Sequence, residues 1–555
     1  MPRISFRREN LCGSRRSTSL VCEILPAGYE LERREIAPDF GLGSAASMAP
    51  DQPLLLGIDI ATAGCTSLVI DQDGRERARA SVEYGYRSPR PGWAEQDANQ
   101  WWEGVCTTVR ACVDQLGGPR AIAAAAIDSH LEAVVPIDRH GEARAPGLLW
   151  LDQRTVPQAE RLHELLDESD VLARTGVNFN HVNPVTKLMW LREHLPEAYD
   201  AAQVFLPPKD YARYKLTGTI GTDYSVASKT MLFDIRRRRW AEDICLATGV
   251  DCSRLPPVSG AWEVGGRVCA AAAAATGLLP ETPIAVGGGD DHVMSLAGPF
   301  DRAGDVSIGT GTGSTWKVRL DEPSPDPLGR FECHCDVIPE SWIYWGSINA
   351  TGFSAEWVIE QIVRLGSSLE VPSDLAYARM EDAASGIEPG AESLLFYPHF
   401  WGARAPRLNP QARAVLFGLS DRHRAGHVWR AILEGVAYQH RGMVQSLQEL
   451  GVQPTRFTMV GGETRSALWN QIKADVLGLE LAIPEQTEAS ALGSAILAGV
   501  AVGVYRDVPD GITRTYRERE RVVPQASSSE RYSALYDKYM GVYEVMERAY
   551  TIAAS

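Results

Sequence analysis

Two strand–turn–strand units about 250 residues apart, each closing on a tip of glycine, threonine and other small residues, constrain the fold of this 555-residue chain most. The first opens with an apolar run at 54–60, which predicts a buried strand. A small, polar turn follows at 61–66, then a second strand at 67–71 and a Gln72-Asp73-Gly74 turn into a third. The second unit spans 305–318 around the turn Gly309-Thr310-Gly311-Thr312-Gly313. Stacked repeats recur every 20–45 residues or so, far below this spacing. The pattern therefore predicts two related α/β domains facing each other across a cleft, with a hinge at 299–304. The length, too great for one core, agrees. The boundaries expected are an extension at 1–50, a first domain at 51–300, a second at 301–510 and a helical tail at 511–555.

Apolar spacing near 3.6 residues predicts helices at 98–116, 186–194 and 428–450. Further on, a strand at 456–460, a tight turn at Gly461-Gly462, a helix at 466–477 stopped by Gly478, a strand at 479–483 and a helix at 489–500 are expected. Residues 531–549 read as a peripheral helix. The first 50 residues carry many arginines, no hydrophobic period and no signal-peptide core. They read as a disordered tail, with Met48 as an alternative start.

A net charge of −16 argues against nucleic acid or an anionic membrane as partner. The ten cysteines form no C-x-x-C pair, which fits a reduced, cytoplasmic setting. Cys333-His334-Cys335 alternates inside a strand-like stretch and reads as packing rather than as a metal site.

The chain has no G-x-x-x-x-G-K-[ST], no G-x-G-x-x-G opening a helix after a strand and no H-E-x-x-H. What it has is four small-residue turns after strands, at 61–66, 287–290, 309–313 and 461–462. Backbone N–H groups and threonine hydroxyls at such turns can cradle phosphate oxygens without a lysine, and a helix start after Gly461-Gly462 adds a positive dipole end. Gly287-Gly288-Gly289-Asp290-Asp291 is the sharpest local feature. Three glycines let the backbone pass close to a ligand, and an acid is then delivered into the cleft. Phosphoryl transfer asks a protein for positioning, a Mg²⁺ ion and an acceptor for the attacking hydroxyl's proton. A plainer reading has Asp290 and Asp291 cap a helix that starts near His292.

An ordered succession of motifs resembles the FGGY carbohydrate kinases. In the first half these are Gly57-Ile58-Asp59-Ile60-Ala61-Thr62, Gly92-Trp93-Ala94-Glu95-Gln96-Asp97 with Trp101-Trp102, Leu149-Trp150-Leu151-Asp152-Gln153-Arg154, Lys209-Asp210-Tyr211, Thr222-Asp223 and the turn before Asp290. In the second half they are Gly402-Ala403-Arg404-Ala405-Pro406, Leu433-Glu434-Gly435, Gly461-Gly462 with Trp469, and Ala491-Leu492-Gly493-Ser494-Ala495. The resemblance runs from about residue 54 to 505. It implies a two-domain, actin-like, ribonuclease-H-like α/β fold, with ATP and Mg²⁺ in the interdomain cleft, a sugar-binding first domain and a nucleotide-binding second one. It further implies Asp290 as catalytic base, Asp59 as the acid that holds Mg²⁺ through water, and Thr62, Gly309, Thr310 and Gly311 as phosphate contacts. Gly352 and Glu356 then fall at nucleotide contacts, and Gly461, Gly462 and Ser466 at the adenosine pocket.

The sugar pocket expected from the resemblance comprises His130, Glu132 and Trp150, together with Asp290. Glu132 stands where xylulokinases carry a His and glycerol kinases a Glu. A carboxylate there can accept hydrogen bonds from two vicinal hydroxyls, while Trp150 would pack on the carbon skeleton. Ala61 and Thr66 depart from the family, which has Gly and Lys or Arg at those positions. The function implied is ATP-dependent phosphorylation of a ketopentose. The alternatives are a tetritol or glycerol kinase, or a catalytically degenerate sugar or nucleotide sensor. A homodimer is left open.

Overall fold

The computed structural model describes residues 53–119, 122–364 and 372–554. Two mixed sheets repeat one topology. The first contains β1 (Leu54–Ile60), β2 (Gly64–Ile70), β3 (Glu76–Glu83), β4 (Ile122–Ser129), β5 (Val264–Arg267) and β6 (Pro283–Ala285), in the order β5-β6-β4-β1-β2-β3. The second contains β7 (Val306–Thr310), β8 (Ser314–Leu320), β9 (Glu332–Cys335), β10 (Trp342–Ile348), β11 (Phe457–Gly461), β12 (Leu481–Pro484) and β13 (Glu518–Val522), in the order β9-β10-β8-β7-β11-β12-β13. In each sheet an antiparallel meander opens on the hairpin recognised in the sequence (β1-β2-β3, then β7-β8-β10). Two parallel strands follow on the other side of its first strand, β4 and β6 or β11 and β12.

The helices that position the site are α1 (Ala98–Gln115), α2 (Pro184–His194), α3 (Pro208–Thr217), α4 (Tyr224–Lys229), α5 (Asp290–Met294), α6 (Thr351–Val358), α7 (Ala425–Glu449), α8 (Ala467–Leu477), α9 (Ala489–Ala501) and α10 (Ala526–Ala554). Successive side chains of a strand point to opposite faces, and β1 is apolar on both. Leu54, Leu56 and Ile58 share a core with Trp101, Val105 and Val109 of α1. Leu55, with Leu68 and Ile70 of β2, packs with Ala495, Ile496 and Leu497 of α9. A helix from late in the chain thus covers one face of the first sheet. Its approach to α5 depends on Gly493, where a Cβ would lie 2.0 Å from the Val293 carbonyl oxygen.

Three expectations are corrected. The first turn is shorter than 61–66, because β2 already begins at Gly64 and pairs Gly64 with Glu83 of β3. Thr66 therefore lies inside a strand, its hydroxyl 3.0 Å from that of Ser81, and not at the hairpin tip. The C-terminal helix is not peripheral. Tyr532, Tyr536, Tyr539, Tyr543 and Tyr550 of α10 are buried in a core shared with α7 and α8. Their spacing of 4, 3, 4 and 7 residues is an apolar stripe written in tyrosine. The helix expected at 186–194 starts two residues earlier, at Pro184, where proline suits a first helical turn.

Cys333, His334 and Cys335 are all buried in β9. Among the described residues no helix is long and apolar enough to cross a membrane. The reading of residues 1–50, with Met48 as a start, lies outside the described residues.

Candidate active site

Strand register brings three carboxylates together. Asp59, the penultimate residue of β1, pairs in register with Asp128 of β4, and Ser129 bridges to Gly289, the residue before Asp290. Asp59, Asp128 and Asp290 thus emerge at the carboxyl ends of adjacent parallel strands, the edge where open α/β sheets bind ligands. Asp128 Oδ2 accepts a hydrogen bond from the Ser494 hydroxyl of α9 at 2.6 Å. Its Oδ1 and Asp59 Oδ1 are buried and have no hydrogen-bond partner among the described residues. Burial pushes Asp59 up to about 6, against the opposing influence of the neighbouring Asp128 carboxyl. Burial, then the charge of Asp59, raises Asp128 as well.

Asp290 and Asp291 open α5 after the N-cap Gly289 and have opposite environments. The one hydrogen bond to the Asp290 carboxylate among the described residues is the Asp291 backbone N–H, 2.7 Å from Oδ1. Burial raises its pKa well above the carboxylate range, reinforced by the charges of Asp291, Asp59 and Glu132. Asp291 is saturated instead. Its Oδ1 accepts from Thr315 Oγ1 at 2.8 Å and from Lys317 Nζ at 3.2 Å, and its Oδ2 from Trp345 Nε1 at 2.8 Å. Burial pulls this carboxyl upward, but Lys317 and the two neutral donors outweigh it and hold it below its usual value. Of the pair, only Asp290 has the free oxygen and the basicity a proton acceptor needs. The plainer reading of Asp290 and Asp291 as helix caps is not met: the N-cap is Gly289, and the two acids sit in the first turn of a helix that starts at Asp290 rather than near His292.

The turn before Asp290 is buttressed from beneath. The Gly289 N–H donates to Ser225 Oγ at 3.0 Å, and Ser225 in turn donates to Asp223 at 2.5 Å. Lys209, fully buried, lies 3.2 Å from Asp223 and 2.8 Å from Asp210. The Lys209-Asp210-Tyr211 and Thr222-Asp223 motifs thereby support the loop rather than the ligand.

A cavity of about 350 Å³ opens in front of Asp290. Thr62 of the first hairpin and Thr312, Gly313 and Ser314 of the second line it together, so both tips converge on one space. His130, Glu132 and Trp150 also line it. His130 is buried with neither ring nitrogen partnered among the described residues, and burial drives it down to about 3, so the ring is neutral. Trp150 is 44% exposed, with its Nε1–H 3.3 Å from Thr62 Oγ1. Lys187 of α2, buried behind the cavity, donates to the Glu132 carbonyl at 2.8 Å, and burial lowers its pKa to about 7.

Among the cavity residues, Lys229 and Trp345 had no signal in the sequence beyond residue type, Arg404 stood inside the quoted Gly402–Pro406 motif without a role, and Asp291 was read only within the Gly287–Asp291 turn and as a helix cap. Lys229 lies 2.6 Å from Glu332. Arg404 Nη1 lies 3.4 Å from Ser347 Oγ.

On the nucleotide side, Thr310 pairs with Gly461, which sets the second hairpin beside the Gly461-Gly462 turn. The Thr310 hydroxyl is committed to the Val460 carbonyl at 2.8 Å. Gly311 and Gly352 are locked together. The Gly352 N–H donates to the Gly311 carbonyl at 3.2 Å, and a Cβ on Gly352 would stand 2.1 Å from that oxygen. Gly309 closes over Lys317, whose Nζ would lie 3.2 Å from a Cβ there. Gly461 and Gly462 are exposed, as is Glu356 on α6, and none of the three is among the residues that line the cavity. Ser466 caps α8, accepting the Trp469 N–H at 3.0 Å and donating to Glu381.

The residues at Asp59 fit a hard divalent cation. Asp59 Oδ1 and Asp128 Oδ1, buried and with no hydrogen-bond partner among the described residues, carry uncompensated lone pairs at the strand ends next to the Asp290 turn. Mg²⁺ binds through one or two carboxylates, keeping waters and phosphate oxygens for the rest of its shell.

Known proteins resemble this chain along most of its length. Residues 54–298 match the model of the FGGY family of carbohydrate kinases, N-terminal domain, and residues 306–502 match its C-terminal domain. The chain is 28% identical to a gluconokinase of Bacillus subtilis over 504 residues, 90% of this chain and 97% of that protein. It is 30% identical to a glycerol kinase of Trichlorobacter lovleyi over 483 residues, 85% of this chain and 94% of that one. The crystal structure of xylulose kinase from Rhodospirillum rubrum superposes with a TM-score of 0.82 at 28% identity, covering 90% of this chain and all of that one. With both domain models matched in order over a duplicated actin-like fold, the chain belongs to the FGGY family of carbohydrate kinases.

Proposed function

We propose that this carbohydrate kinase transfers the γ-phosphoryl group of ATP to a hydroxyl of a ketopentose, with Asp290 as the catalytic base. The observation that carries the reading is the free, strongly basic carboxylate of Asp290, set at a cavity that both hairpin tips line. Asp290 takes the proton of the substrate hydroxyl. The oxygen attacks the γ-phosphorus, the bond to the bridging oxygen breaks, and ADP leaves.

Residues 51–300 would hold the sugar and residues 301–510 the nucleotide. His130 offers an unpartnered ring nitrogen, Glu132 accepts from vicinal hydroxyls, and Trp150 packs on the carbon skeleton. Thr62, with the backbone around Gly309, Thr310 and Gly311, would face the phosphates. Gly352, Glu356, Gly461, Gly462 and Ser466 would border the nucleoside. Asp59, with Asp128 beside it, would hold Mg²⁺ through water, and the ion would supply charge neutralisation for the phosphates when bound. Closure over this cavity excludes water, so that sugar and not water receives the phosphoryl group. The eight cysteines of the described residues are free thiols, which supports a cytoplasmic setting.

The test is ADP release by wild type and by Asp290→Asn with ketopentoses, pentitols, tetritols, glycerol and gluconate. Turnover with a ketopentose, lost in Asp290→Asn, is the expected result. Turnover with another acceptor alone would replace the substrate and keep the chemistry. Undiminished turnover in Asp290→Asn would end the assignment of the base.

A further inference from the structure

The reaction as proposed gives Asp291 no task, yet this carboxylate is the best-held group in the site. Its three donors come from the opposite sheet: Thr315 and Lys317 from β8 and Trp345 from β10. The Lys317 side chain is fully buried, and its ammonium also touches Thr315 Oγ1 at 3.0 Å and Met294 Sδ at 3.5 Å. The same ammonium lies directly beneath Gly309, in the strand that leads into the second phosphate turn. Trp345 forms part of the cavity wall, and Lys229 sits 5.1 Å from its ring centroid. The next residue along α5, His292, stacks on His334 of β9 at 5.4 Å. Two consecutive side chains after Asp290 therefore engage three strands of the second sheet.

We propose that Asp291 is a positioning residue whose carboxylate straps the base-bearing turn of the first half to the phosphate-binding hairpin of the second. The strap holds Asp290 and the 311–313 turn in fixed relation across the cleft. The proposal rests on the reading of Asp290 as the base. Charge-assisted hydrogen bonds are short and directional, and the buried lysine fixes which atoms must meet. An amide in place of Asp291 would present an NH₂ group toward donors, and it would leave Lys317 without a counter-charge. In-line transfer tolerates little error in the distance between base and phosphoryl group. A looser cleft also admits water as a competing acceptor.

The test compares wild type, Asp291→Asn, the charge-balanced double variant Asp291→Asn with Lys317→Met, and Trp345→Phe, which removes one donor and keeps a ring at the cavity. Each is assayed for ADP released and for sugar phosphate formed, with and without sugar. The expected result is a kcat lower by about 10- to 100-fold in both Asp291 variants, with KM for sugar and ATP within about threefold of wild type. ADP release should exceed sugar phosphate formed, and Trp345→Phe should fall between. Full kcat in either Asp291 variant overturns the proposal. So does a kcat loss in which ADP and sugar phosphate stay equal, the signature of fewer folded molecules. The double variant carries no unpaired buried charge, so its result stands even if Asp291→Asn alone does not fold. If Asp290→Asn retains wild-type turnover, the assignment of the base fails and the strap falls with it. If Asp290→Asn is inactive and the Asp291 variants stay fully coupled, the strap alone is wrong.

Discussion

Asp59 and Asp128 occupy the same register on adjacent parallel strands, and each keeps one buried oxygen that accepts no hydrogen bond among the described residues. Burial lifts Asp59 from 3.8 to about 6, although Asp128 beside it pulls the other way. A carboxyl whose folded pKa lies above its unfolded value contributes stability that is full below about 3.8 and is lost as pH rises through about 6. Metal-free protein should therefore be less stable at pH 7.5 than at pH 5, by about 1–3 kcal/mol from this group. Asp59→Asn should shrink that difference, and Mg²⁺ with nucleotide should restore stability to wild type at the higher pH. Thermal melts at the two pH values check this. An undiminished difference in Asp59→Asn would remove Asp59 as its source.

Asp290 must be unprotonated to accept a proton, and burial followed by the charges of Asp291, Asp59 and Glu132 raises its pKa. The acid limb of kcat/KM against pH is expected above the ordinary carboxylate range. Glu132→Gln removes one of the charges that hold it there, so the limb should move to lower pH. The same change should raise KM for sugar by about tenfold, the cost of a lost hydrogen bond to a charged group. A fixed limb together with an unchanged KM would take Glu132 out of the site.

Lys209 is buried between Asp210 and Asp223, and Asp223 supports Ser225, which holds the Gly289 N–H. Lys209→Met removes the cation 3.2 Å from Asp223 and leaves Asp210 with Arg213, 3.5 Å away. Breaking a buried pair in this way costs about 3–5 kcal/mol. Urea unfolding should show a midpoint shift of that sign, whereas a shift within error would mean that the Lys209–Asp223 pair adds nothing net to stability.

Gly493 lets α9 lie against α5, with a Cβ only 2.0 Å from the Val293 carbonyl oxygen. Gly493→Ala should destabilise by about 1–3 kcal/mol through overpacking. Because Val293 is three residues from Asp290, kcat should fall as well. Calorimetry and steady-state kinetics on the same preparation check both effects.

Much of the architecture was legible before any coordinates. The strand at 54–60 was read at its full length, since a seven-residue run in which all but Asp59 are buried, between turn signals, leaves little room for another reading. The hairpin at 306–320 and the helix at 489–501 were close behind. Asp290 stood out because three glycines precede it. Asp128 did not, because an aspartate ending an alanine-rich strand looks like any strand terminus until β4 is laid beside β1. Thr66 was misplaced at a hairpin tip because its pairing with Ser81 depends on where β3 docks. The tyrosine stripe of α10 was missed because tyrosine reads as a surface residue as readily as a buried one.

Local periodicity and glycine placement, carried by covalent geometry and side-chain polarity, determined the duplicated halves, their opening hairpins and the family motifs. The tertiary structure alone decided which carboxylates meet, which of two neighbouring aspartates keeps a free oxygen, and which lysine lies beneath the phosphate turn. Those outcomes depend on register between strands far apart in the chain and on the energy of burying charge, and neither is a property of any local stretch of sequence.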